Sequence, residues 1–162
     1  MTQPDHLYRG LTATTWDLHR DTRYRWDDAQ LFLDLVREHG QPVLDLGCGT
    51  GRILLDFLKE GIDIDGVDNA PEMLAICRSR AAEAGLAPAL YDQSIESLDL
   101  PRRYGTILGP SSVLQLLTEP ARAAAVLGDI HARLLPGGAF IAMFAFDWRE
   151  GEPLDTGWQP HF

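Results

Sequence analysis

Val43-Leu-Asp-Leu-Gly-Cys-Gly-Thr-Gly51 is an apolar strand that runs directly into three glycines at alternate positions. A second predicted strand ends in Gly66-Val-Asp-Asn69, so a carboxylate closes it. Glycines let the backbone approach a ligand closely, because no Cβ intervenes and positive φ is allowed. An acid at the end of the neighbouring strand can hold the two hydroxyls of a ribose. The two stretches together predict a nucleotide-binding site.

Length and composition fit one domain that binds a small ligand. The chain has 162 residues, 45% apolar and 23% charged, which are ordinary values for a globular domain with a core. A formal net charge of −10 argues against a nucleic-acid surface, which depends on clustered Lys and Arg. Neither a membrane-length apolar run nor a signal pattern is visible, and the two cysteines lack metal-ligand spacing. We therefore expect a cytoplasmic protein with no metal, no membrane partner and no nucleic-acid partner.

Apolar periodicity predicts alternating strands and helices from residue 27 to residue 146. The predicted strands cover residues 42–46, 62–67, 87–91, 104–108 and 139–146, and helices are expected at 27–40, 50–60, 69–85 and 118–134. Asn69-Ala-Pro-Glu72 is typical of a capping box, and Thr118 is the expected cap of the last helix. Leu31 and Leu127 are among the apolar positions expected to face the core. Such alternation implies a parallel sheet with helices on both faces, and ligands bind these sheets at the carboxyl ends of the strands.

The glycine spacing separates two classes of nucleotide cofactor. A dinucleotide site needs Gly-x-Gly-x-x-Gly, but Gly47-Cys-Gly-Thr-Gly-Arg52 has its third glycine one residue early and an arginine in the sixth position. This spacing favours a single nucleoside that carries an amino acid. A nicotinamide-dependent oxidoreductase is the weaker alternative, since the chain offers no Tyr-x-x-x-Lys pattern and no hydride-relay group.

Three stretches of the chain resemble the class I S-adenosylmethionine-dependent methyltransferases. They are Val43–Arg52, Gly66-Val-Asp-Asn-Ala-Pro-Glu-Met-Leu74 and Leu134-Leu-Pro-Gly-Gly138, and their order and spacing also fit that family. The resemblance covers about residues 27–146. It implies a Rossmann-like three-layer αβα sandwich with parallel strand order 3-2-1-4-5. It also implies transfer of a methyl group from S-adenosylmethionine, and a small-molecule acceptor is the expected substrate.

The resemblance implies a cofactor site but assigns no catalytic residue. Asp45 and the glycine loop would hold the methionine part, Asp68 the ribose hydroxyls, and the residue pair after the third strand the adenine. The expected cofactor-binding set is Asp45, Gly47, Cys48, Gly49, Gly51, Asp68, Asn69, Met73, Ser94, Ile95, Gly109 and Pro110. Met73 and Ile95 are expected to sandwich the adenine. Two structural alternatives to cofactor binding stay open. Asp45 could be an acid that bonds loop amides, and Ser94 and Ile95 could be ordinary turn residues.

Three positions depart from the pattern of that family. Ser94 stands where relatives often have an acid for the adenine amino group, and Gln115 stands where many place a histidine near the substrate. The fourth strand begins Tyr104-Gly105 instead of with an aromatic residue followed by Asp. We therefore expect weaker adenine recognition and find no general base in the sequence.

The two ends of the chain raise separate expectations. Residues 1–26 are rich in aromatic residues, Arg and Asp, and form either a lid over the cofactor or a cover for the sheet. Residues 147–162 are a tail, too short to supply the helix and antiparallel hairpin that the resemblance implies after Phe146. The C-terminal strands are thus expected to be truncated, leaving the edge of strand 139–146 open to a second copy (a homodimer) or a partner. A non-catalytic or partner-dependent cofactor-binding module is the alternative function.

Overall fold

A computed structural model describes residues 8–16 and 28–144 of the chain. The predicted boundaries 1–26, 27–146 and 147–162 are covered only in part, and the predicted tail lies wholly outside the described residues. The following account is confined to those two ranges.

The described elements alternate as the periodicity predicts. The helices are α1 (Leu11–Thr15), α2 (Asp28–His39), α3 (Arg52–Lys59), α4 (Pro71–Glu83) and α5 (Pro120–Arg133), with a 3-10 turn at Val113–Leu116. The strands are β1 (Val43–Leu46), β2 (Ile64–Asp68), β3 (Ala89–Asp92), β4 (Tyr104–Gly109) and β5 (Leu134–Ala142). None of the helices in these ranges is long and apolar enough to cross a membrane.

The five strands form one parallel sheet in the order β3-β2-β1-β4-β5. The predicted order 3-2-1-4-5 and the Rossmann-like α/β class are therefore confirmed. In the central register Asp45 lies opposite Gly66 on one side and Leu108 on the other. The carboxyl ends of β1, β2 and β4 consequently meet at one edge of the sheet, next to the glycine loop.

Two apolar clusters cover the two faces of the sheet, which makes the three layers. On one face α2, α3 and α4 pack over the sheet, with Phe32, Phe57 and Cys77 among the buried residues. On the other face α5 contributes Val126 and Ile130, which pack against Leu44, Leu46 and Tyr104. Because alternate residues of β1 point to opposite faces, Asp45 lies on the same face as Val43 and the start of α3.

Two predicted helix caps are wrong. The residue that caps α4 is Ala70, and that of α5 is Glu119; neither end has a side-chain cap hydrogen bond, and proline opens both helices. Asn69 and Thr118 are therefore not the caps. The predicted capping box fails because Glu72 Oε2 instead accepts a hydrogen bond of 2.5 Å from the backbone N–H of Gly10 in the N-terminal segment. A tertiary partner has replaced the local one.

The last strand begins earlier than predicted and ends sooner. β5 covers Leu134–Ala142, and the Leu135–Gly138 stretch, expected as a separate turn, forms an irregular excursion inside it. Met143 and Phe144 are not in strand, while residues 145 and 146 lie outside the described ranges. A Cβ on Gly138 would come within 2.7 Å of the Gly105 carbonyl oxygen, and one on Gly105 within 2.7 Å of the Gly40 carbonyl oxygen. Gly105, where the resemblance leads us to expect an acid, therefore lets three backbone segments meet.

Other differences are smaller. Leu31 and Leu127, expected to face the core, are 59% and 45% exposed. Each sits beside residues that do face the core, Phe32 and Val126, so the apolar stripe of each helix is narrower than its sequence suggests. The third strand starts at Ala89, two residues later than predicted.

Candidate functional site

The glycine loop after β1 is fixed by hydrogen bonds to β2. Gly47, Gly49 and Gly51 all have positive φ, at 68°, 54° and 88°. The backbone N–H groups of Gly47 and Cys48 both donate to the carbonyl oxygen of Val67, at 2.8 and 3.0 Å. The turn closes with a 2.9 Å bond from the Gly51 N–H to the Cys48 carbonyl. The loop is thus held in one shape at the carboxyl edge of the sheet.

Two of these glycines also leave no room for a side chain. A Cβ on Gly47 would lie 2.9 Å from Val113 Cγ2 in the 3-10 turn, and one on Gly51 would lie 2.7 Å from Cys77 Sγ in α4. The loop therefore packs closely against the turn after β4 and against α4. Cys48 is buried, and burial raises the pKa of its thiol well above the usual value, so it packs as a small apolar residue and does not act as a nucleophile.

Asp68 joins the glycine loop to the start of α4. Its Oδ2 accepts a 2.9 Å hydrogen bond from the Gly49 N–H, and its Oδ1 accepts a 2.8 Å bond from the Ala70 N–H. Desolvation raises the pKa of the carboxyl, while the backbone bonds from Ala70, Gly49 and Asn69 oppose that rise. The two carboxylate oxygens together have about four acceptor positions, so these backbone bonds leave acceptor capacity for a ligand. Asp68 can hold the loop and a diol together.

Asp45 is the most deeply buried acid of the site. It is 1% exposed, and its Oδ1 has no hydrogen-bond partner among the described residues. A backbone hydrogen bond from Leu54, in the first turn of α3, reaches the carboxyl. Leu54 is a helix residue, whereas the structural reading expects bonds to loop amides, so the role of Asp45 stays a prediction. Burial raises the pKa of this carboxyl from 3.8 to about 7, against the opposing influence of Arg52.

An ion pair that the sequence does not predict flanks the loop. Arg52 donates from both terminal nitrogens to the Asp28 carboxylate, at 2.5 and 2.8 Å, and both side chains are largely buried, at 16% and 10% exposed. Arg52 Nη2 also lies 3.5 Å from Ser111 Oγ. The pair therefore connects the start of α2, the start of α3 and the turn after β4 around the mouth of the loop.

The turns after β3 and β4 complete the edge. Gly109 and Pro110 are buried at the end of β4, and a Cβ on Gly109 would be 3.3 Å from both Phe140 and Val113. Ser111 and Ser112 follow with positive φ values of 54° and 62°, which non-glycine residues rarely adopt. Ser94 Oγ accepts a 3.2 Å bond from the Glu96 N–H, a local turn contact in line with the ordinary-turn reading. Asn69 is exposed beside Asp68.

The described N-terminal segment, residues 8–16, lies over α4. Ala13 is buried with Ala70 and Met73, and Tyr8 packs against that group and makes an edge contact with Trp16 at 4.8 Å between ring centroids. Met73 and Ile95 belong to different apolar clusters, on the α4 side and on the α5 side. The structure therefore brings the N-terminal segment to Met73 but does not place Met73 and Ile95 in one contact.

Most of the expected site residues lie at one edge of the sheet, and its chemistry suits a cationic, hydroxyl-bearing ligand. Asp45 and Asp68 supply negative charge, the glycine loop supplies close backbone approach, and no metal-binding group of His, Cys, Asp and Glu exists among residues 8–16 and 28–144. The sequence missed Arg52 with Asp28 and the strained Ser111–Ser112 turn. In the sequence, Arg52 indicates only that the loop departs from the dinucleotide pattern. Its pairing with Asp28 spans 24 positions and leaves no local signal.

Comparison with known proteins identifies the same region. A family model described as "Methyltransferase domain" matches residues 43–138. The ubiquinone biosynthesis O-methyltransferase of Sodalis glossinidius (strain morsitans) is 32% identical over 94 residues, which cover 55% of this chain and 38% of that protein. The 23S rRNA (uracil(1939)-C(5))-methyltransferase RlmD of Shewanella sediminis (strain HAW-EB3) is 41% identical over 85 residues, 52% of this chain and 18% of that protein.

Among solved structures, the glycopeptide N-methyltransferase MtfA complexed with S-adenosyl-L-methionine superposes with a TM-score of 0.66 at 28% identity. That match covers 78% of this chain and 57% of the MtfA chain. The chain thus spans less than two thirds of each of these proteins.

Proposed function

This chain belongs to the methyltransferase domain family, and from that premise we propose that it binds S-adenosylmethionine and transfers the donor's methyl group to a small-molecule acceptor. The observation that carries the proposal is Asp68, whose carboxylate accepts backbone bonds from the glycine loop and from the start of α4 and keeps acceptor capacity beyond them. A carboxylate so arranged fits a ribose diol and holds the glycine loop beside it. A cytoplasmic location is part of the proposal.

The residues of the edge fit the rest of the cofactor. Asp45, with its unused buried oxygen, would face the cationic methionine end beside Gly47, Gly49 and Gly51. The adenine would lie between the α4 start and the turn that carries Ser94 and Ile95, and Gly109-Pro110 would border the sulfonium. When bound, the cofactor would supply an activated methyl group for in-line displacement. What the chain contributes is alignment of that group with the acceptor, since no general base is evident among the described site residues.

The proposed acceptor class follows from charge. The net charge of −10 gives poor attraction for a polyphosphate backbone, although one relative named above acts on rRNA. A small molecule is therefore the preferred acceptor. Residues 8–16, which cover Ala70 and Met73, would form part of the lid over it.

The first test is calorimetric titration of the purified chain with S-adenosylmethionine and S-adenosylhomocysteine, with NAD as the negative control. We expect micromolar binding of both sulfur nucleosides and a loss of about 100-fold in affinity in Asp68→Ala, because two charge-assisted hydrogen bonds are removed. Asp34→Ala, an acid on the exposed face of α2, is the matched control and should leave affinity unchanged. Tighter binding of NAD, or equal affinity in Asp68→Ala, would contradict the proposal.

The second candidate, a partner-dependent module, is favoured by the edge of the sheet. In the described part of the chain β5 pairs only with β4, and Phe144 beyond it is 49% exposed. Such a module would bind the cofactor yet methylate nothing in a panel of small molecules and rRNA fragments until a partner is added. Ultracentrifugation at micromolar concentration, combined with an activity assay, separates the two candidates. A monomer that turns over an acceptor without any added partner excludes the partner-dependent module.

A further inference from the structure

One oxygen of the Asp45 carboxyl lacks a hydrogen-bond partner, whereas both oxygens of the neighbouring Asp68 accept backbone hydrogen bonds. Its residue is 1% exposed, and Oδ1 finds no hydrogen-bond donor in the described ranges. Buried polar atoms are rarely left without a partner, so this oxygen points to a ligand or ion that completes it. The Leu54 amide in the first turn of α3 favours the ionised carboxyl, but burial outweighs it.

The charged and titratable groups around Asp45 come from every element packed on it. α3 brings Arg52, which favours the ionised form; the end of β2 brings Asp68, which disfavours it. Cys48 in the loop and Cys77 in α4 are thiols whose pKa values are themselves raised by burial, and β4 faces Asp45 with the apolar Leu108. Arg52 is in turn paired with Asp28, so its charge is shared between two acids. Asp45 therefore lacks a dedicated cation.

We propose that Asp45 carries a proton in the cofactor-free protein and releases it to solvent when S-adenosylmethionine binds. The inference rests on the proposed function. The donor's sulfonium and ammonium groups bring positive charge to the glycine-loop edge, and that charge replaces the proton as the partner of the carboxyl. A buried acid next to a second acid is costly when ionised alone and stable when a cation neutralises it.

The direction of the pH dependence follows from the raised pKa of about 7. Well above pH 7 Asp45 is already ionised, and its titration no longer changes the affinity for the donor with pH. Below pH 7 the donor must displace the proton, so apparent affinity falls by about tenfold for each pH unit. Proton release per bound donor is about one half at pH 7 and approaches one at pH 6.

The test is calorimetry at pH 6 and pH 8 in two buffers of different ionisation enthalpy, which counts protons independently of any turnover. We expect close to one proton released at pH 6 in the wild-type chain beyond the count in Asp45→Asn, and almost none beyond it at pH 8. Subtracting the variant removes the donor's own protonation changes. Asp34→Asn, the exposed acid on α2, should behave as the wild type.

Two further measurements keep the outcome decisive if Asp45→Asn fails to bind. Arg52→Gln removes the opposing cation, so its proton release should persist to a higher pH than in the wild type. In the cofactor-free chain, a native pKa above the unfolded value means that Asp45 stabilises the fold below pH 4 and loses that contribution as the pH rises through 7. The folding equilibrium constant of the wild type should therefore fall between pH 4 and pH 7, whereas that of Asp45→Asn should not. The ratio of the variant's constant to that of the wild type should rise over this range by up to about a thousandfold.

The possible results separate the two claims. No binding of the donor by the wild type at either pH removes the proposed function and this inference with it. Binding with the same proton count in wild type and Asp45→Asn, or a release in Arg52→Gln that does not move, overturns the inference alone. A proton count that disappears with Asp45 supports it.

Discussion

Gly51 and Gly61 share a backbone conformation but not an environment. Their φ values are +88° and +76°, yet a Cβ on Gly51 would meet Cys77 Sγ at 2.7 Å and Leu55 at 2.9 Å, whereas one on Gly61 would meet nothing within 4 Å. We expect Gly61→Ala to cost about 1 kcal/mol from left-handed strain alone. Gly51→Ala should cost about 1–3 kcal/mol more, because Leu55 and Cys77 must also move. Urea unfolding of the two variants measures the difference, and equal destabilisation would show that the close packing behind the loop is not required.

Single residues also show how far the sequence predicts the site. Glycines at alternate positions and an acid after the next strand require a particular backbone, so the loop and Asp68 could be placed correctly at one edge. The hydrogen bond that the Gly49 N–H donates to the Asp68 carboxylate follows from that geometry. The Arg52–Asp28 pair could not be predicted, because it depends on the angle at which α2 approaches α3, which no local pattern encodes. The roles of the twelve expected cofactor residues stay predictions until a ligand is bound.

At the scale of elements, the N-terminal segment is attached to α4 at a point that can be tested. Gly10 donates to Glu72 Oε2 at 2.5 Å, and Ala13 packs on Ala70 and Met73. In Glu72→Ala we expect residues 8–16 to exchange their amide hydrogens at least several-fold faster, since the hydrogen bond from Gly10 is lost, with global stability changed by less than about 1 kcal/mol. Hydrogen exchange followed by mass spectrometry measures this. Glu83→Ala, at the far end of α4, is the control, and unchanged exchange in Glu72→Ala would mean that packing alone holds the segment.

The elements that were predicted well are those whose pattern is local and repeated. Short stretches that contain apolar residues and end at or beside glycine identified β1, β2 and β4, and helix periodicity identified α2 to α5. The caps at Asn69 and Thr118 failed because proline already starts each helix and Glu72 has a tertiary partner. β5 was misplaced because Pro136 and the two glycines after it are typical of a turn. The contact that draws them into the sheet lies in another strand, at Gly105.

For the molecule as a whole, the two edges of the sheet have different roles. The carboxyl edge carries the proposed cofactor site, whereas a polar network braces the amino ends of β2 and β4. There Arg102 donates to Asp63 at 2.7 Å and to the buried Asp65 at 2.7–2.8 Å, and the Tyr104 hydroxyl donates to Asp65 at 2.9 Å. Hydrogen bonds from Arg102 lower the pKa of Asp63, and burial raises that of Tyr104. The charge of Asp65 is thus compensated inside the fold.

Separation of the two edges predicts a variant that loses stability without losing affinity for the cofactor. Arg102→Ala leaves Asp65, which is only 5% exposed, without its cation and should cost about 2–4 kcal/mol in the free energy of unfolding. Arg37→Ala, whose partner Asp34 is 62% exposed, is the matched control and should change that free energy by less than about 0.5 kcal/mol. Because Arg102 lies at the opposite end of the strands from Asp45 and Asp68, the dissociation constant for S-adenosylmethionine, measured where both variants are folded, should stay within about twofold of the wild type. A large loss of affinity in Arg102→Ala would mean that the brace sets the spacing of β2 and β4 along their whole length, and that stability and binding are one property of this sheet.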